Sequence, residues 1–101
     1  MLTSKQRAQL RGIASRLDTT LHIGKSGITD TVIQQLEESL AVKELVKGKV
    51  LENAPVSPRE ACEALSEACS AMQVQVIGSK FVLYRPNLKI AKDKRIQLVK
   101  D

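Results

Sequence analysis

Four consecutive residues, Gly24-Lys25-Ser26-Gly27, combine the residue types an anion site needs at the spacing of a tight loop. Lys25 brings a full positive charge and Ser26 a hydroxyl donor. The flanking glycines carry no Cβ, so a phosphate can approach the backbone closely and a positive φ is permitted. Thr20-Leu21-His22-Ile23 before the loop reads as a short strand, and a helix follows from about Thr29, a good cap residue. A helix N-terminus presents unpaired N–H groups and a partial positive charge, so the loop stands where an anion is favoured.

Three chemistries are compatible with these letters. Gly-Lys-Ser ends the nucleotide-binding P-loop, but that motif needs a glycine where this chain has Thr19, and no hydrolytic apparatus follows. A second reading takes the glycines as turn punctuation alone. The third is a GxxG clamp on a nucleic-acid backbone, of the kind KH domains use. Charge favours the third. The chain has 16 Lys and Arg against 11 Asp and Glu, a formal net charge of +5. Glu60, Glu63 and Glu67 gather in one predicted helix, which leaves the remainder more basic still. A basic excess on part of a surface is the footprint of nucleic acid or, less often, of an anionic membrane.

Further cations are candidates for the same partner. Arg7 and Arg11 share one flank of the first predicted helix, and Lys47 and Lys49 one face of a predicted strand. Lys80 and Arg85 flank the last strand. Lys89, Lys92, Lys94, Arg95 and Lys100 form a basic tail, suited to sequence-independent affinity. Each competes with the reading of a merely solvated charge. Phe81 and Tyr84, the only aromatics, fall on opposite faces of one strand and read as packing residues, too few for a base-stacking sheet. His22 faces away from Leu21 and Ile23 with no evident catalytic partner. Cys62 and Cys69 lie seven residues apart in a predicted helix, roughly 10 Å, too far for a disulfide, and read as small core residues. No carboxylate pair or nucleophile constellation emerges, so we expect a non-enzymatic protein without cofactor or metal.

The elements that must position these residues are legible from periodicity. Thr3 and Gln6 form a capping-box signal before Leu10, Ile13, Ala14 and Leu17, an apolar helical stripe. Val32, Ile33, Leu36 and Leu40 give a second helix its inward face. The run from Glu44 to Leu51 alternates as a strand, with Val46 and Val50 opposite Lys47 and Lys49. Ser57-Pro58-Arg59-Glu60 opens a third helix packed through Ala61, Leu65, Ala68, Cys69 and Met72. Val74–Ile77 and Phe81–Tyr84 form a hairpin about Gly78-Ser79, with a type II′ turn. The result is an α+β domain, αβαβαββ, read as a two-layer sandwich with a mixed four-stranded sheet. Residues 1–86 make the domain and 87–101 the tail, whose last residues are expected to be loose.

The strings Ile23-Gly24-Lys25-Ser26-Gly27-Ile28-Thr29, Glu44-Leu45-Val46-Lys47, Val76-Ile77-Gly78 and Val82-Leu83-Tyr84-Arg85 resemble the CRM domain family, closest to its stand-alone bacterial YhbY-like members. The resemblance implies a fold related to the C-terminal domain of translation initiation factor three. It also implies RNA binding and, for the bacterial members, an association with large ribosomal subunit maturation; plant relatives act in intron splicing. Carried over, the backbone clamp is Gly24, Lys25, Ser26 and Gly27, and Arg85 gains weight because it ends a family motif. Gly48 departs from the family, which has an aliphatic residue there, and marks a weakened strand or a bulge. The expected partners are precursor ribosomal RNA of the large subunit and pre-ribosomal particles, bound by a monomer. A protein-interaction module using the acidic third helix is the alternative. No apolar run is long enough for a membrane span, the opening MLTSKQRAQLR lacks signal-peptide features, and a cytoplasmic location is expected.

Overall fold

The computed structural model describes residues 2–91, 93 and 95–100. Its elements are α1 (Ser4–Ala14), β1 (Leu21–Ile23), α2 (Asp30–Lys43), β2 (Leu45–Val50), α3 (Pro58–Ala68), β3 (Met72–Ile77) and β4 (Lys80–Tyr84). The strands form one sheet in the order β1-β2-β4-β3, parallel between β1 and β2 and antiparallel elsewhere. The parallel pair requires a crossover, which α2 supplies. Fold class, element order and mixed sheet are those the sequence implies.

Local chemistry sets the helix starts. Thr3 and Gln6 exchange side-chain and backbone hydrogen bonds at 3.1 Å each, and Ser57 and Glu60 do so at 2.9 and 3.1 Å, with Pro58 in the first turn of α3. α3 stops earlier than its apolar spacing suggests: Ala68 is exposed, and Met72 opens β3 instead of extending the helix face. The stop is a left-handed Ser70 (φ 53), after which the Ala71 N–H returns to the Ser66 carbonyl at 2.8 Å.

Helices pack on both faces of the sheet. β2 and β4 carry apolar residues on both faces, so both faces must be covered. Val46, Val50, Phe81 and Leu83 pack with Leu36 and Leu40 of α2 and Leu65 of α3. Leu45, Val82 and Tyr84 pack on the other face with Leu10 and Ala14 of α1. Cys62 and Cys69 are free and buried, as expected of small core residues.

Gly48 does not mark a bulge. It sits in regular register between Leu21 and Phe81. A Cβ there would overlap the Phe81 ring, 2.8 Å from Cε1 and 2.9 Å from Cε2, so the glycine makes room for the ring. The bulge is in β3, between Gln73 and Gln75. It turns Val74 toward α1 and Val76 toward α3, although simple alternation places them on one face. The β3–β4 turn has Gly78 at φ 58 and no positive φ at Ser79, the pattern of a type II′ turn.

The C-terminal segment is held, contrary to the expected looseness. Ile96 and Leu98 pack against the α1-side core. The amide of Gln6 donates to the Val99 carbonyl and that of Gln9 to the Gln97 carbonyl, while Gln9 Oε1 accepts the Val99 N–H at 2.8 Å. Lys92 and Lys94 lie outside the described residues.

Candidate functional site

The loop after β1 is a tight turn closed by the Gly27 N–H donating to the Gly24 carbonyl at 2.9 Å. Its two glycines differ in cause. Gly27 has φ 69, and a Cβ would stand 3.0 Å from Pro55 Cγ, so the fold itself requires glycine. Gly24 has no positive φ, and a Cβ would meet only Leu51 Cδ1 at an ordinary 3.8 Å. Among the described residues nothing demands glycine there. Lys25 and Ser26 project into solvent.

The start of α2 is less open to an external anion than its position suggests. Thr29 Oγ1 already accepts the Val32 N–H at 3.2 Å, and Asp30 places its own carboxylate in the first turn. The charge at the loop therefore comes chiefly from Lys25.

Beside the loop the sheet carries a row of basic side chains. His22 on β1 pairs with Lys49 on β2, and Lys49 pairs with Lys80 on β4. Residues paired directly share a face, here the α1 side beyond the helix end. Like charges directly opposite destabilise a sheet. Neither lysine forms an ion pair among the described residues. The β3–β4 turn closes this end of the sheet, where the Val50 N–H donates to the Ser79 carbonyl at 2.8 Å.

The other cations singled out by sequence divide into free and engaged. Arg11 is exposed, and Lys49 is partly so. Arg7 Nη1 donates to the Gln73 carbonyl at 2.6 Å, satisfying the bulge in β3. Lys47 Nζ donates to the Ala14 carbonyl at 3.2 Å, a cation at the negative end of α1. Arg85 Nη1 donates to both carboxylate oxygens of Glu37, at 2.9 and 3.0 Å, and to the Cys69 carbonyl at 2.8 Å. It ties α2 to the end of α3 on the face away from His22, Lys49 and Lys80. The basic row thus includes His22 and Lys80, which strand alternation alone does not join to Lys49. Only the pairing register brings the three together.

The thiols add no reactive chemistry. Burial pushes the Cys62 thiol up to about 11, so it stays protonated and inert. Among the described residues no group of three or more His, Cys, Asp or Glu is arranged to hold a metal ion.

Comparison with known proteins agrees with this architecture. The protein named "Probable RNA-binding protein YqeI" from Bacillus subtilis (strain 168) is 37% identical over 98 residues, which cover 97% of this chain and 99% of the relative. A Haemophilus influenzae protein named "RNA-binding protein" is 35% identical over 86 residues, covering 85% and 87%. The solution structure of hypothetical protein SAV1595 from Staphylococcus aureus superposes with a TM-score of 0.79 at 42% identity, covering 98% of this chain and all of that one. Residues 2–85 match the CRS1 / YhbY (CRM) domain, and the chain belongs to that family.

Proposed function

We propose that the chain binds RNA without catalysing a reaction, holding backbone phosphates between the Gly24–Gly27 loop and the sheet row beside it. The observation that carries the reading is that Lys49 and Lys80 stand directly opposite each other at the end of the sheet where the Lys25 loop leaves β1, with no ion pair to any of the three among the described residues. The fold spends stability on that juxtaposition, and a polyanion offsets the cost. Gly24 is compatible with the same reading, because without a Cβ its backbone is open to a phosphate. The relatives named as RNA-binding proteins point the same way.

Within this reading Lys25, Ser26, Lys49, Lys80 and Arg11 contact RNA, Gly27 shapes the turn, Gly24 leaves its backbone open to a phosphate, and Arg7, Lys47 and Arg85 hold the scaffold. Lys25→Ala weakens RNA binding and lowers the slope of log affinity against log salt by about 0.7–0.9. A titration at several salt concentrations tests this, and an unchanged affinity and slope would count against the clamp.

The RNA we propose is precursor ribosomal RNA of the large subunit, bound in pre-ribosomal particles in the cytoplasm. This rests on the resemblance to the stand-alone bacterial members. Crosslinking in cells with sequencing of the bound RNA tests it: enrichment of large-subunit precursor supports it, and enrichment of messenger or transfer RNA removes the ribosomal assignment while leaving RNA binding.

A further inference from the structure

A cleft of about 290 Å³ lies between the last turn of α1 and the β3–β4 hairpin, on the sheet face that carries the basic row. Its apolar lining is the buried Ala14 and Val82 together with the exposed Ile77. Ile77 is 59% exposed, a large β-branched side chain left to water beside lysines. Arg11, Lys47 and Lys80 also line the cleft, with Gln75 and with Ser15, whose hydroxyl donates to the Gly12 carbonyl at 2.7 Å and keeps its lone pairs for a donor. The lining includes three cations and no carboxylate.

A track for phosphates alone needs the cations but not the apolar lining. A flat group with two apolar faces, polar edges and an attached phosphate uses all of it. We propose that this cleft takes one unstacked base of single-stranded RNA, its face on Ile77 and Val82, its edge toward Gln75 and Ser15, and its phosphate beside Lys80 and Arg11. The inference rests on the RNA-binding reading and deepens it, because it adds base contact to a grip that otherwise reads only backbone. Lys80 belongs to both places. It pairs with Ile77 on one side and Lys49 on the other, so a strand crossing from the loop over His22 and Lys49 reaches the cleft after two strand spacings, about 10 Å.

The full chain is titrated into short single-stranded RNAs carrying 2-aminopurine at successive positions, and base emission and RNA anisotropy are read together. Extraction of a base from its neighbours' stack raises the emission at one or a few positions. Ile77→Ser and Gln75→Ala are expected to lose that rise at saturating protein. Lys25→Ala is expected to require more protein but to reach the same emission. Thermal melts establish that each variant folds, and if Ile77→Ser does not, the partly exposed Gln75→Ala decides. An emission rise unaltered in a folded Ile77→Ser or Gln75→Ala chain overturns the proposal. So does RNA that binds with no emission change at any position, which leaves the backbone grip standing. An absence of any RNA binding by anisotropy overturns both readings together.

Discussion

The Glu44 carboxylate accepts the Ile96 backbone N–H at 2.8 Å, across 52 residues of chain. Its second oxygen accepts the Asn87 N–H at 2.7 Å and meets Arg95 Nε at 3.4 Å. Glu44 is 1% exposed and left-handed (φ 63), a conformation few non-glycine residues adopt. The same residue ends α2 and fastens the C-terminal segment at Asn87 and again at Arg95 and Ile96. A buried carboxylate is tolerated only with such partners. Glu44→Gln removes the charge and turns one acceptor into a donor facing an N–H. We expect a loss of about 1–3 kcal/mol in urea denaturation, with faster hydrogen exchange at Asn87 and Ile96. An unchanged stability would show that Ile96, Leu98 and the Gln6 and Gln9 hydrogen bonds hold the segment without Glu44.

Gly48 and Phe81 are coupled through space. Gly48→Ala forces the ring from its site and is expected to cost about 1–3 kcal/mol. Phe81→Leu in the same chain shortens the obstructing side chain. The double variant is therefore expected to lose less than the sum of the single losses. Additive losses in a double-mutant cycle would mean that the contact does not govern this site.

Ser70 ends α3 at φ 53, where an L side chain is strained. Ser70→Gly relieves that strain, partly offset by the added freedom of the unfolded chain. A gain of roughly 0.5–1 kcal/mol is expected, read as an upward shift in melting temperature. A loss would mean that the Ser70 side chain contributes a contact worth more than the strain.

Lys80 and Arg85 should separate binding from folding. Lys80→Ala removes a like-charge pair, so stability is expected within about 0.5 kcal/mol of the parent while RNA affinity falls. Arg85→Ala removes the links to Glu37 and the Cys69 carbonyl and is expected to cost about 1–2 kcal/mol. The RNA affinity of the folded fraction should be unchanged. The opposite pattern would return Arg85 to the interface.

Alkaline pH should weaken the fold through Cys62. Its thiol is raised by burial from 9.0 to about 11, so in this interval the unfolded chain loses the proton first. Fewer protons bound in the unfolded state make stability fall as pH rises, so the contribution is whole below about pH 9 and is lost on the way to 11. Cys62→Ala is expected to flatten the decline measured by denaturation across this window. An equal slope in both proteins would assign the decline to other groups, Tyr84 among them, whose hydroxyl is also raised by burial.

By itself the sequence determined what depends on near neighbours. Thr3 with Gln6 and Ser57 with Glu60 close their boxes within three residues, Gly78-Ser79 carries its turn, and the apolar periods name most of the core. The Gly24–Gly27 turn was legible for the same reason. Tertiary structure decided whatever depends on a distant partner. Arg7, Lys47 and Arg85 look like free cations in the sequence, yet each binds a carbonyl brought in by folding. The bulge in β3 turns Val74 and Val76 to opposite faces, which no alternation rule foresees. Gly48, a weak point in β2 by sequence, is the space for Phe81, and the C-terminal segment, whose last residues the sequence leaves loose, is anchored on Glu44. The loop after β1 is a local object, and the row beside it is not. His22, Lys49 and Lys80 are neighbours because register is set by the whole sheet, where a slip of one residue would turn these side chains to the other face.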